Sequence, residues 1–274
     1  MLRPLSGERA QMPLPRSAEI RPGSGACETG SMSSTEPLTA EESAAIRTRL
    51  DEVAERTAAA AKASGRSAED VRILLATKTQ PAERIRVAIE HGFSLIGENK
   101  VQELVAKADD LADLPHESHL IGPLQKNKVN HTLRHAQCIE SVDSLALAER
   151  IDNRLGVLDS TVDVFVQVNT SREDSKSGVA PEDAEALVAA VRDLDRLRLR
   201  GLMTIGLPGQ TPEEIRPSYS DLRELRDRLI ATGALPADAT ELSMGMSNDF
   251  ELAIAEGATM VRIGSSVFGA RPAP

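Results

Sequence analysis

Val71-Arg-Ile-Leu-Leu-Ala-Thr-Lys-Thr-Gln-Pro81 is the segment from which the architecture is read. Val71 to Ala76 is a nearly unbroken apolar run, too short for a free-standing helix and bounded by Pro81. Such a run reads as a strand buried on both faces, as in a parallel sheet. Lys78 stands where that strand runs out. An ammonium at the rim of a core is partly desolvated, and burial lowers the pKa of a lysine. A neutral amine attacks aldehydes, which makes Lys78 a candidate Schiff-base residue. On position alone, a solvated lysine that merely follows a strand is the alternative.

Before this segment, Thr39-Ala-Glu-Glu42 has the S/T-x-x-E form of a capping box. Ile46, Leu50, Val53 and Ala54 follow at helical spacing, and the helix runs to Gly65. Residues 1–37 are rich in Pro, Gly, Ser and Glu and read as a disordered tail or an over-extended start, with Met32 a candidate initiator. After the segment, Pro81 opens a helix that ends at Gly92. Strands are expected at 71–77, 93–96, 119–122, 138–142, 162–168, 199–205, 241–243 and 260–263, with helical patterns between them. Such alternation implies an α/β fold with a parallel sheet. Eight units predict a single (β/α)8 TIM barrel over 38–274 rather than an open α/β sheet.

With no Trp and one Tyr, aliphatic residues must fill the interior. A net charge of −10 argues against broad nucleic-acid or anionic-membrane partners, which need a positive field. It leaves room for a local anion pocket. Cys27 and Cys138 offer neither a disulfide framework nor a CxxC metal site, which fits a reducing cytosol. No run approaches the ~20 apolar residues of a membrane span. The N-terminus lacks the continuous apolar core of a secretory signal.

In such barrels the active site lies at the C-terminal ends of the strands. The residues expected there are Thr77-Lys78-Thr79, Gly97-Glu-Asn99, Gly122 with Gln125 and Asn127, Ser141 and Asp143, Asn169 with Lys176-Ser-Gly178, Met203, Ser243-Met-Gly-Met-Ser247 and, around the last strand, Arg262 and Gly264-Ser-Ser266. The last two loops stand where barrels often hold a phosphate. Glycine lets backbone N–H groups approach an anion, and serine adds hydroxyl donors. Ser247 precedes a predicted helix at 248–256; capping and turn-making alone are the competing explanation. A phosphate site and a strand-end lysine allow a class I aldolase or a pyridoxal 5′-phosphate site. Arg262 lies in an apolar strand and needs a partner. Opposite a pyridine nitrogen it would keep that nitrogen unprotonated and weaken the ring as an electron sink; a salt bridge to Glu241 or another strand-end acid is the alternative. His119 reads as a satisfied barrel histidine, His131 and His135 as a helix-face pair, Arg192 to Arg200 as a solvated helix end, and Lys126 and Lys128 as anion-attracting or water-facing.

Ala76-Thr-Lys-Thr79, Gly97-Glu-Asn99 with Val101-Gln-Glu103, His119-Leu-Ile-Gly-Pro-Leu-Gln125 with Asn127-Lys128, Lys176-Ser-Gly178, Arg200-Gly-Leu-Met203, Leu242-Ser-Met-Gly-Met-Ser247 and Val261-Arg-Ile-Gly264 with Phe268-Gly269 follow in order over residues 39–271. This set resembles the signature blocks of the pyridoxal phosphate homeostasis proteins, which are similar to the N-terminal barrel of alanine racemase, the fold type III class of pyridoxal phosphate proteins. The resemblance implies that Lys78 carries pyridoxal 5′-phosphate as a Schiff base, that Ser247, Gly264 and Ser265 hold its phosphate, that Arg262 faces the pyridine nitrogen and that Asn99 lines the ring pocket. It also implies a cytosolic, monomeric protein without established turnover, which buffers the cofactor and delivers it to pyridoxal phosphate-dependent apoenzymes. Lys100 departs from a frequent Tyr, and Ser265 from a frequent Thr. Racemisation needs a base on each face of the bound substrate. The related racemases take a tyrosine from a second, β-rich domain, whereas this sequence stops after the eighth strand and its only tyrosine, Tyr219, falls on a predicted outer helix. A carrier is therefore expected, with a racemase or a Schiff-base aldolase as the enzymatic alternative.

Overall fold

The computed structural model describes residues 38–173, 176–207, 209 and 211–269. The expected tail at 1–37, Met32 included, lies outside the described residues. Eight strands pair in parallel in chain order: β1 (Arg72–Ala76), β2 (Leu95–Glu98), β3 (Glu117–Leu120), β4 (Cys138–Val142), β5 (Val162–Gln167), β6 (Leu197–Met203), β7 (Glu241–Met246) and β8 (Met260–Ile263). Strand β8 returns to β1, with Ile73 beside Val261 and Leu75 beside Ile263, so the sheet closes on itself. The helices are α1 (Ala40–Ala63), α2 (Ala82–Glu90), α3 (Val101–Leu111), α4 (Val129–Thr132), α5 (Leu145–Leu158), α6 (Ala184–Arg192), α7 (Pro212–Ala231), α8 (Phe250–Ala255) and α9 (Ser265–Phe268). This is the (β/α)8 barrel that the alternating pattern predicts.

The expected capping box forms at α1. Thr39 Oγ1 accepts the Glu42 N–H at 3.1 Å, and Glu42 Oε2 accepts the Thr39 N–H at 2.9 Å. Ile46, Leu50, Val53, Thr57 and Ala61 then form one buried stripe, the spacing a helix needs to cover a sheet. Strand residues split between two cores because their side chains alternate. One face, including Leu75, Ile96, Ile139 and Val164, packs under the helices. The other, including Leu74, Leu95, Cys138, Phe165, Met203 and Met260, fills the barrel.

Several boundaries differ from those expected. Phe93 belongs to the close of α2, because its N–H bonds back to Ala88 O at 3.0 Å around Gly92, whose φ is +99°. An apolar residue in that position is what helix endings commonly use. The helix α4 spans only Val129–Thr132, so His131 and His135 do not share a helix face. Arg198 and Arg200 are not at a helix end: they lie in β6 and enter ion pairs at the N-terminal mouth of the barrel. There Arg198 meets Asp163 at 2.5 Å, Arg200 meets Glu241 at 3.1 Å, and Arg72 meets Glu117 at 2.6 Å. Arg72 also lies 3.9 Å from Glu241, and Arg200 3.9 Å from Asp163, so the charges alternate around that mouth. Among the described residues, no helix is long and apolar enough to cross a membrane.

Phe165 is among the largest wholly buried side chains and stands in the middle of the barrel filling. We expect Phe165→Ala to lower the unfolding free energy by about 3–5 kcal/mol. Urea unfolding should show it as a lower midpoint with the slope preserved, the sign of lost stability without a change of compactness.

Candidate functional site

A cavity of about 590 Å3 opens where the strands end, and Lys78, Asn99, Ser247, Arg262, Gly264 and Ser265 all line it. The barrel thus brings together the six residues that the family resemblance assigns to the cofactor, although they are spread over nearly two hundred positions of chain; Gln125, Asn127, Ser141, Asp143, Asn169, Lys176 and Met203, also expected at the strand ends, do not line it. Lys78 follows β1 and sits between Thr77, which is wholly buried, and Thr79, whose φ of +65° is rare for a β-branched residue. The Thr79 N–H donates to Glu103 Oε2 at 2.5 Å. Asn99 follows β2 and is held by the next loop. A Cβ at Gly122 would stand 2.1 Å from Asn99 O, so only glycine permits that approach.

The loops after β7 and β8 are tied together through one hydroxyl. Ser247 Oγ accepts the Gly264 N–H at 3.0 Å and the Ser266 N–H at 3.4 Å, and Ser266 Oγ donates to Ser247 O at 3.2 Å. Ser247 is not the helix cap that its position suggests, because α8 begins at Phe250 with Asp249 before it. Gly245 explains the displacement: its φ is +91°, and a Cβ there would lie 2.4 Å from the Ala253 Cβ. Glycine lets β7 run on to Met246 and turn tightly over α8.

Arg262 is 5 % exposed and forms the cavity floor. Its Nη1 donates to Ser243 Oγ at 2.8 Å and its Nη2 to Thr204 O at 2.6 Å. Glu241 is not its partner, being engaged by Arg200 and Arg72. An acid is reached through Ser243, whose hydroxyl donates to Glu140 Oε2 at 2.6 Å. Glu140 Oε1 pairs with His119 Nδ1 at 2.6 Å, and His119 Nε2 pairs with Glu117 Oε1 at 2.8 Å. Glu117 then reaches Arg72 at the far mouth. Burial works against a charged His119, yet the neighbouring groups outweigh it and raise its pKa well above the usual. The adjacent Cys138 thiol is itself pushed up to about 11 by burial, so it is neutral near pH 7 and the two carboxylates supply the holding charge. Burial would raise Glu140, but His119 and then Arg262 bring it below the ordinary value. The hydrogen bond from His119 holds Glu117 down at about 2.

Residues 42–272 match the family model for the alanine racemase N-terminal domain. The pyridoxal phosphate homeostasis protein of Pseudomonas aeruginosa is 45 % identical over 226 residues, which cover 82 % of this chain and 96 % of that one. That of Aquifex aeolicus is 43 % identical over 225 residues, covering 81 % and 97 %. The chain belongs to the pyridoxal phosphate homeostasis protein family. Among solved structures, PipY of Synechococcus elongatus with pyridoxal phosphate bound has a TM-score of 0.71 at 35 % identity, over 82 % of this chain and 100 % of that one. Alanine racemase of Clostridium difficile, at 15 % identity and a TM-score of 0.66 over 84 % of this chain and 60 % of that one, shares the fold.

Not every signature block of this homeostasis family feeds the cavity directly. Lys176 reaches across to Gly206 O at 2.9 Å and so fastens the loop after β6. Gln125, Lys126 and Asn127 are exposed, and Lys100 is an exposed residue at the start of α3. Tyr219 on α7 is wholly buried, with its ring against Gly206. Sequence reasoning passed over Glu140 and Lys107. Glu140 carried a readable signal, an acid inside the apolar run Cys138-Ile-Glu-Ser-Val142. Lys107 carried another, its i,i+4 spacing from Glu103.

A carboxylate whose folded pKa is depressed contributes stability above its unfolded pKa and loses it as pH falls through the folded value. For Glu117 that interval runs from the ordinary 4.5 down to about 2, and Glu140 shifts in the same sense. His119 has the opposite sign: its raised pKa stabilises at pH below the usual histidine value and the gain is lost on the alkaline side. We expect the unfolding free energy, measured in urea at stepped pH, to fall below about pH 4.5, with a shallower fall in Glu117→Gln. Superposable profiles for the two proteins would remove Glu117 from this network.

Proposed function

We propose that this protein binds pyridoxal 5′-phosphate on Lys78 and serves intracellular homeostasis of that cofactor without catalytic turnover. The observation that carries this reading is the convergence of an amine, a buried guanidinium and a cluster of hydroxyl and backbone N–H groups on one cavity. When bound, the cofactor supplies an aldehyde, a pyridine nitrogen and a phosphate dianion. Lys78 would hold the group through its amine, the aldehyde supplying a carbon that condenses with amines and releases water. Ser247, Gly264 and Ser265 hold the phosphate through hydroxyl and N–H donors of the kind that Gly264 and Ser266 already direct to Ser247 Oγ. Asn99 lines the ring. Arg262, fixed from behind by Ser243 and Thr204, keeps a proton off the pyridine nitrogen because two positive charges repel. The bound PipY relative supports the choice of cofactor.

The same residues support a carrier over a racemase. An unprotonated ring withdraws electrons weakly, which opposes carbanion chemistry. Two-base racemisation needs a second acid–base group over the ring. Tyr219 is wholly buried behind Asp249 and does not line the cavity, and Asp249, the carboxylate among the described residues that does, accepts the Met246 N–H at 2.6 Å. The reading places the protein in the cytoplasm as a monomer, with pyridoxal phosphate-dependent apoenzymes as recipients and neither nucleic acid nor membrane as a partner.

Full-length protein mixed with pyridoxal 5′-phosphate should gain visible absorbance, and borohydride should fix the adduct to the peptide containing Lys78. Lys78→Ala should lose both signals, and a full yellow band in that variant would show the wrong lysine has been chosen. A panel of L-amino acids incubated with the loaded protein should keep its chirality; turnover at about 1 per second or faster would make it an enzyme.

A further inference from the structure

Lys78 occupies a tight turn. The Gln80 N–H bonds back to Thr77 O at 3.0 Å, so Thr77, Lys78, Thr79 and Gln80 form a four-residue turn with Lys78 second. The third residue has φ +65°, a place usually given to glycine or asparagine, and here it is Thr79. A β-branched residue stays in that region only when its surroundings insist on it. What insists is a cluster behind the turn, outside the barrel wall. Glu98 is 2 % exposed and faces outward from β2, on the same side as Ile96. Lys107 on α3, whose side chain is 14 % exposed, sends its Nζ to three acceptors. These are Glu98 Oε1 at 2.7 Å, Thr77 O at 2.9 Å and Glu103 Oε2 at 3.3 Å. Thr77 Oγ1 donates to the same Glu98 oxygen at 2.7 Å, and Glu103 Oε2 takes the Thr79 N–H. Both neighbours of Lys78 are therefore fixed to one ammonium and two carboxylates, while Lys78 itself is turned to the cavity.

We infer that Lys107, acting with Glu98 and Glu103, is the positioning group that holds the turn so that Lys78 meets the aldehyde. This rests on the proposed role of Lys78 and adds residues that do not line the cavity. An ammonium has three protons, and all three are used here, which a neutral or shorter side chain cannot reproduce. Glu98, Glu103 and Lys107 stand five and four residues apart, the first on β2 and the other two one turn apart on α3.

The test separates capture from simple binding. Three full-length variants, Lys107→Met, Lys107→Arg and Glu103→Gln, are compared with the native protein in two assays. One follows the rate of borohydride-fixed adduct at Lys78; the other measures affinity for pyridoxine 5′-phosphate, which has the ring and phosphate but no aldehyde. We expect Lys107→Met to slow capture about tenfold or more, and Glu103→Gln less, with affinity for the alcohol kept within about twofold. Lys107→Arg, which keeps the charge, should regain part of the rate. A merely structural role would lower both measures together, and that result, or an unchanged capture rate, overturns the inference. If Lys107→Met does not fold, Glu103→Gln at the cluster's rim decides by the same two measures. A native protein that forms no adduct at Lys78 would instead refute the proposed function itself, and the inference with it.

Discussion

A guanidinium buried inside a barrel needs a negative charge within reach, and most of this structure is arranged around meeting that need. Among the described residues, Arg262 finds no carboxylate at its own tip; it finds the Ser243 hydroxyl and the Thr204 carbonyl. The compensating acid, Glu140, is wholly buried on the other side of that hydroxyl. Glu140 is held ionised by His119, by Arg262 and by the Ser243 hydroxyl, and His119 is held charged between Glu140 and Glu117. The sequence of partners crosses from β8 through β7, β4 and β3 to Arg72 on β1. Each member satisfies the next, so deleting one leaves a buried polar group exposed to the full cost of an unmade bond. The register of five strands is thereby tied to the charge on the cavity floor.

The rim is built by a different principle. Lys78, Asn99 and Ser247 stand on turns whose backbones are pressed against neighbours rather than on regular strands. Gly122 and Gly245 allow two of these approaches by lacking a side chain. At the third, the strain sits on Thr79, and polar groups outside the barrel hold it there. Preorganisation of this kind places reacting atoms at a cost met during folding rather than at the moment of binding.

The architecture was legible because a parallel barrel writes itself as short apolar runs separated by amphipathic helices, and because closure places every strand end at one mouth. That topology alone made Lys78, Arg262 and the two Gly-Ser loops neighbours on paper. The errors have local causes. Phe93 looks like the start of a strand but completes a helix ending, since one apolar residue serves both. Arg198 and Arg200 look like solvent-facing charge, but every second residue of a strand's end projects into the barrel mouth. Glu140 and Lys107 depend on which residues of distant elements lie level with each other. Glu140 needs β3 and β7 in register with β4, and Lys107 needs α3 laid beside the end of β1. Spacing within one segment holds no such information.

The alternating charges of Arg72, Glu117, Asp163, Arg198, Arg200 and Glu241 stand at the mouth opposite the cavity, with Phe165, Leu74 and Met260 packed between the two ends. Among the described residues, that packing separates the charged mouth from the cavity, which opens where the strands end. The two ends of the barrel thus differ in kind, one knit shut by ion pairs and the other left hollow.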